Sequence, residues 1–145
     1  MAEICVMGLG YVGLPTASLL ANAGFAVLGV DVNPRVVESL QSGETVLKEA
    51  GLATLVAAAC NSGNLVAATE PEPCDTFIIC VPTPITEDKR ADVSIVEDAA
   101  RRIAPHVQPG NLIILESTSP IGTTRDRVGR ILKEAGHEPG KDVHV

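Results

Sequence analysis

The apolar positions of this chain fall into short unbroken runs separated by longer stretches with helical spacing. Ile4 to Met7 is the first run, and Ala26 to Val30, Leu65 to Ala68, Thr76 to Val81 and Leu112 to Leu115 repeat it. Runs of this length that are apolar throughout, rather than alternating, predict strands buried on both faces. Between them, Tyr11 to Ala23, Pro34 to Ser42, Glu49 to Cys60, Ser94 to about His106 and Thr123 to Ala135 read as helices. The punctuation agrees with these assignments. Pro15 falls in a first turn, where its missing N–H does no harm, and Pro34 opens a helix. Gly24 and Gly136 fit the left-handed residue just past a helix end. Ser94 with Glu97, and Thr123 with Asp126, have capping-box spacing. Pro71 to Cys74 and Pro109-Gly110 read as turns, Pro82 to Asp92 as an exposed loop, and Asp142 to Val145 as the beginning of a sixth strand. Strands alternating with helices predict parallel strands joined by crossovers, hence a doubly wound α/β domain.

Composition narrows the function classes. The 145 residues suit a single domain, and 46% hydrophobic with 20% charged residues excludes a disordered chain. Aromatics make up only 2%, so the core must be aliphatic. A net charge of −7 and so few aromatics offer neither the basic surface nor the stacking platforms that nucleic-acid binding needs. No apolar run approaches a membrane span, and Glu3 stands where an export signal would carry positive charge. Cys5, Cys60, Cys74 and Cys80 form no CxxC and have no histidine at ligand spacing, so they read as free thiols in a reducing cytoplasm, with no metal site.

The strongest local signal is Gly8-Leu9-Gly10-Tyr11-Val12-Gly13, a GxGxxG between a strand and a helix. In that context each glycine has a job: Gly8 for the tight turn, Gly10 for close approach of a pyrophosphate, and Gly13 for close packing of helix on strand. The N–H groups around Tyr11 and Val12 and the positive end of the helix would receive the phosphates. Asp31 ends the second strand, 18 residues after Gly13, where a carboxylate accepts from ribose hydroxyls. It would repel a 2′-phosphate, which favours NAD over NADP, although Arg35 nearby offers a phosphate partner or a plain solvated charge. These features together predict a Rossmann-type sheet of about six strands with helices on both faces. Two further segments end strands at the expected binding edge. Val81-Pro82-Thr83 could hold the nicotinamide side with a rigid loop and a hydroxyl, beside a Cys80 that reads as an inert buried thiol. Glu116-Ser117-Thr118 precedes the capping residues and is left free for function.

These segments together resemble the N-terminal domain of the UDP-glucose/GDP-mannose dehydrogenase family, over the whole chain. The residues that carry the resemblance are Gly8–Pro15 (GLGYVGLP), Val81–Pro84 (VPTP), Ala91–Ala100 (ADVSIVEDAA) and Ile114–Thr124 (ILESTSPIGTT). Glu116 before Ser117 is most similar to the branch acting on UDP-N-acetyl-D-mannosamine; the branches acting on UDP-glucose and UDP-N-acetylglucosamine are the alternatives. One departure is Ala50 in Glu49-Ala50-Gly51-Leu52, where the family has a proline, which affects the local helix start. The resemblance implies an NAD-dependent, four-electron oxidation of a sugar C6 alcohol to a uronate, in nucleotide-sugar metabolism that feeds polysaccharide synthesis. It implies a UDP-sugar partner, a homodimer and a cytoplasmic site. It also implies that Thr118 holds water near the reacting carbon. The family's catalytic cysteine, lysine, asparagine and glutamate match no position up to Val145. The chain is therefore expected to be the cofactor part of a longer enzyme, inactive alone; a stand-alone NAD-sensing module is the alternative of another kind.

Overall fold

The computed structural model describes residues 2–145. Five strands, β1 (Ile4–Met7), β2 (Val27–Val30), β3 (Leu65–Ala68), β4 (Thr76–Ile79) and β5 (Leu112–Leu115), alternate with helices α1 (Gly13–Asn22), α2 (Pro34–Gln41), α3 (Leu52–Asn61), α4 (Ser94–Ile103) and α5 (Gly129–Glu134). All strand pairs are parallel, in the order β3-β2-β1-β4-β5. The chain thus builds outward from β1 on one side, then returns to pair β4 against the other edge of β1. A crevice opens at such a reversal, beyond the carboxyl ends of the strands.

Each strand feeds two cores, because successive side chains point to opposite faces. Cys5 and Met7 of β1 pack with Leu28, Val30, Phe77, Ile79 and the buried faces of α4 and α5. Ile4 and Val6 point the other way, with Val27, Ile78 and the buried faces of α1 and α3. Both sets being apolar is why the strands show unbroken rather than alternating hydrophobicity.

Strands β1, β3 and β5 fall on the residues that the pattern predicts; several other boundaries shift for visible reasons. The sixth strand is reduced to a bridge beside β5, where Ile113 N–H donates to His144 O (2.8 Å) and His144 N–H to Asn111 O (2.9 Å). The turn in which Lys141 and Asp142 N–H donate to Glu138 O takes up the residues before Val143. Helix α3 begins at Leu52 rather than Glu49, because Gly51 enters it with a left-handed φ of 80°.

Neither capping box forms. Ser94 is already inside α4, and its N–H donates to Asp92 Oδ1 (2.9 Å), while Glu97 ion-pairs with Arg101 and Arg127. Thr123 donates its hydroxyl to Pro120 O (2.7 Å), and Asp126 pairs with Arg125. The last helix is not uniform either: a π-helical turn over Thr124–Val128 leads into α5. Helix α4 likewise finishes in a tighter 3-10 turn over Ala104–His106.

Phe77 is the only fully buried aromatic side chain among the described residues, on β4 facing α4. Phe77→Ala should lower the unfolding free energy by about 3–5 kcal/mol in urea titrations. A loss below about 1 kcal/mol would contradict the assignment of Phe77 to the centre of this core.

Candidate functional site

A cleft of about 900 Å³ lies at the carboxyl ends of the strands. Its floor is the β1–α1 turn, where Gly8 has a φ of 92° that only glycine adopts without strain. A Cβ there would lie 2.9 Å from Cys80 O, and a Cβ on Gly13 would lie 1.8 Å from Gly8 O. These two glycines are therefore demanded by the protein's own packing, and Gly13 does not line the cleft. Gly10 is different, because a Cβ there would meet no protein atom within 4 Å. It does line the cleft, so only something bound in the cleft can require it to be glycine. Among the described residues the N–H groups of Gly10, Tyr11 and Val12 have no protein acceptor, and no side chain caps α1. Tyr11 and Val12 are both exposed along this edge.

Asp31 is fixed by its own neighbourhood. Its Oδ2 accepts from Leu9 N–H and its Oδ1 from Asn33 N–H, each at 2.9 Å. Each carboxylate oxygen keeps further lone-pair capacity for a ligand on the cleft side. Arg35, by contrast, stands beside the cleft's lining rather than in it. Asn33 caps α2 by accepting from Arg35 N–H (3.1 Å), which starts the helix at Pro34 and leaves Arg35 exposed outside the lining.

The opposite wall is made of two loops tied to each other. Ser117 Oγ donates to Val81 O at 2.7 Å, and Thr83 Oγ1 donates to Thr118 O at 2.6 Å. The expectation that Ser117 is free is thus corrected: its proton is spent on holding the loop after β5 to the loop after β4. Thr83 likewise spends its proton on the protein, and keeps only acceptor capacity for a ligand. Val81 and Pro82 form the wall itself, and the side chains of Glu116 and Thr118 reach it without a protein hydrogen-bond partner among the described residues. Cys80 is buried, and burial first, then the Glu116 carboxylate, pushes its thiol up to about 12. It is a neutral, poorly nucleophilic thiol at physiological pH.

The remaining lining comes from residues to which the sequence reading gave no site role, although Ile95, Asp98 and Ala99 lie within the Ala91–Ala100 segment. Val32 follows Asp31, Thr69 and Glu70 follow β3, and Ile95, Asp98, Ala99 and Arg102 come from α4. The α4 set sits at i, i+3, i+4 and i+7, a single helix face. Its polar members are the signal: a stripe that mixes Asp98 and Arg102 with Ile95 and Ala99 is not a core face. Among the described residues no cluster of His, Cys, Asp and Glu could hold a metal ion.

The sequence as a whole matches the NAD binding domain of the UDP-glucose/GDP-mannose dehydrogenase family, over residues 2–145. The chain belongs to this family. It is similar to UDP-N-acetyl-D-mannosamine dehydrogenase of Methanococcus aeolicus, 45% identical over 99% of this chain and 32% of the relative. It is 50% identical, over 83% of this chain and 29% of the relative, to NDP-N-acetyl-D-galactosaminuronic acid dehydrogenase of Ralstonia nicotianae. The UDP-N-acetyl-mannosamine dehydrogenase of Staphylococcus aureus superposes with a TM-score of 0.94 at 40% identity, covering 98% of this chain and 35% of that one. The chain spans about a third of the length of the relatives it matches.

The residues of this NAD-binding domain fit the dinucleotide. Gly10 leaves open space where a backbone must be approached closely, free N–H groups surround it, and a fixed carboxylate stands at the end of the next strand. These are the parts that a pyrophosphate and an adenosine ribose require.

The two inner glycines make a discriminating pair. Gly10→Ala should leave the unfolding midpoint nearly unchanged but weaken NAD binding, whereas Gly13→Ala should destabilise the fold itself. Equal effects of the two on stability would contradict the geometry. In the folded protein at pH 8, Cys80 should resist iodoacetamide, as followed by mass spectrometry; rapid alkylation would overturn its reading as an inert thiol.

Proposed function

We propose that this domain binds NAD for a UDP-N-acetyl-D-mannosamine 6-dehydrogenase, with the UDP-sugar held mostly by parts of the protein outside these 145 residues. The observation that carries the reading is the cleft, in which Gly10 opens towards a ligand and Asp31 is pre-set by Leu9 and Asn33. Similarity at 45% to a relative of that printed activity supports the substrate. The Ralstonia nicotianae relative supports a second reading, another N-acetylated nucleotide sugar as substrate.

In this reading the N–H groups of Gly10, Tyr11 and Val12 receive the pyrophosphate, with Gly8, whose own N–H donates to Val30 O (2.7 Å), turning the chain beneath it and Gly13 holding the helix close behind. Asp31 accepts from the adenosine ribose hydroxyls. Val81, Pro82 and Thr83 face Glu116, Ser117 and Thr118 across the nicotinamide end, and Thr118, whose hydroxyl has no partner among the described residues, holds a water near the reacting carbon. NAD held by these residues would supply the hydride acceptor for oxidation of the sugar C6 alcohol. This chain's own residues fix where that acceptor lies. A rigid wall matters because hydride transfer depends on a short, aligned approach. The pairing of Ser117 with Val81 and of Thr83 with Thr118 provides that rigidity.

We place the longer protein in the cytoplasm as a homodimer; the four cysteines being unpaired and no described helix being long and apolar enough to cross a membrane are compatible with that placement.

The full-length protein, incubated with NAD and UDP-N-acetyl-D-mannosamine, should reduce two NAD per sugar and yield the uronate by mass spectrometry. A preference for UDP-glucose would replace the substrate reading, and no NAD reduction with any UDP-sugar would overturn the enzyme reading in favour of an NAD-binding module. In the same protein Asp31→Ala should weaken NAD binding by about 1–3 kcal/mol, roughly 5- to 160-fold in Kd. Unchanged affinity would remove Asp31 from the site.

A further inference from the structure

The Asp31 end of the cleft carries an arrangement that the motifs do not account for. Asp31 N–H donates to Ala68 O (3.2 Å), so the residues that follow β3 stand directly beside the ribose carboxylate. The second of these, Glu70, ion-pairs with Arg102 of α4, its Oε2 lying 3.0 Å from Arg102 Nη2. The same nitrogen donates to Thr69 O, so Arg102 is clasped to the β3 exit through one atom. Its Nη1 and Nε have no protein acceptor among the described residues.

Arg102 is the only basic side chain in the cleft lining, which also holds the carboxylates of Asp31, Glu70, Asp98 and Glu116. A lone arginine near the adenosine ribose is the group that normally admits a 2′-phosphate, because its planar fork matches phosphate oxygens. The Glu70 side chain is 78% exposed, so its pairing with Arg102 adds little to folding. Its effect falls on Arg102, whose side chain is only 27% exposed and whose Nη2 edge the Glu70 carboxylate engages.

The geometry points to Glu70 as a cofactor-selectivity residue: through its pair with Arg102 it neutralises the one guanidinium in the cleft and withholds it from the 2′-phosphate of NADP. Asp31 rejects that phosphate directly by repulsion. Glu70 rejects it indirectly, by occupying the cation that would otherwise compensate, and so acts as a positioning residue for Arg102. The two act from neighbouring strand ends, and the discrimination is built in two layers. This inference rests on the NAD reading of the cleft.

The test is a calorimetric titration of the wild-type chain, Glu70→Gln and the double variant Glu70→Gln/Arg102→Gln, each with NAD and with NADP. Glu70→Gln should shift the ratio of NADP to NAD affinity by about tenfold towards NADP, and the double variant should return the ratio to the wild-type value. Glu70→Asp, which keeps the charge, should stay close to wild type. A purely structural Glu70 would weaken both dinucleotides alike and leave the ratio where it was. A ratio unchanged within twofold in Glu70→Gln, or a gain that persists in the double variant, would overturn the proposal. Failure of the wild-type chain to bind either dinucleotide would overturn the cofactor reading of the cleft instead.

Discussion

A Cβ on Gly13 would lie 1.8 Å from the carbonyl oxygen of Gly8, and one on Gly8 would lie 2.9 Å from that of Cys80. The head of β1, the first turn of α1 and the end of β4 therefore meet backbone to backbone, with no room for a side chain at either glycine. This contact falls where the strand order reverses, and the rest of the cleft depends on it. It sets the start of α1, so that N–H groups without a partner among the described residues collect around Gly10. It brings Leu9 N–H to Asp31 Oδ2 and thereby fixes the carboxylate on the neighbouring strand end. It also puts the loop after β4 at the distance from which Ser117 can tie down the loop after β5. Three of the site's groups are thus placed by one close packing.

The distribution of charge follows from the same architecture. Parallel strands end together, and here the ends of β2 and β3 and the exposed edge of α4 bring Asp31, Glu70 and Asp98 to one rim. Such a rim would be self-repelling around a dinucleotide were it not for Arg102, which reaches across from α4. Asp98 has its own partner in Arg101 on the same helix (2.9 Å). The cleft is left acidic at the ends of β2 and β3 and provided with N–H donors at the β1–α1 turn, a polarity that suits the proposed binding of a dinucleotide lacking the extra phosphate.

Local signals were legible wherever chain chemistry and local geometry coincide. β1, β3 and β5 are apolar throughout and are bounded by polar or turn-forming residues, so all three appear in the sequence with their observed bounds. The glycine turn and Asp31 were legible because they depend on spacing within one strand–helix–strand unit. Capping was misread at Ser94, because Asp92 takes the Ser94 N–H and Ser94 itself lies inside the helix, and at Thr123, because it stands at the N-cap position but turns its hydroxyl back to Pro120 O. Arg102 and Glu70 were invisible for a different reason. They stand 32 residues apart, and only the return of β4 to the other side of β1 brings α4 over the end of β3. Ser117 and Thr118 show the finer limit: both carry hydroxyls, and only the path of the loop after β5 sends one into the protein and leaves the other facing the cleft.

The most direct measurement of the central claim is a crystal structure of the chain with NAD. The account places the pyrophosphate over the N–H groups of Gly10, Tyr11 and Val12. It places the adenosine ribose hydroxyls within hydrogen-bond distance of the Asp31 carboxylate, about 2.6–3.2 Å. A dinucleotide bound elsewhere, or bound here with its ribose turned away from Asp31, would contradict it.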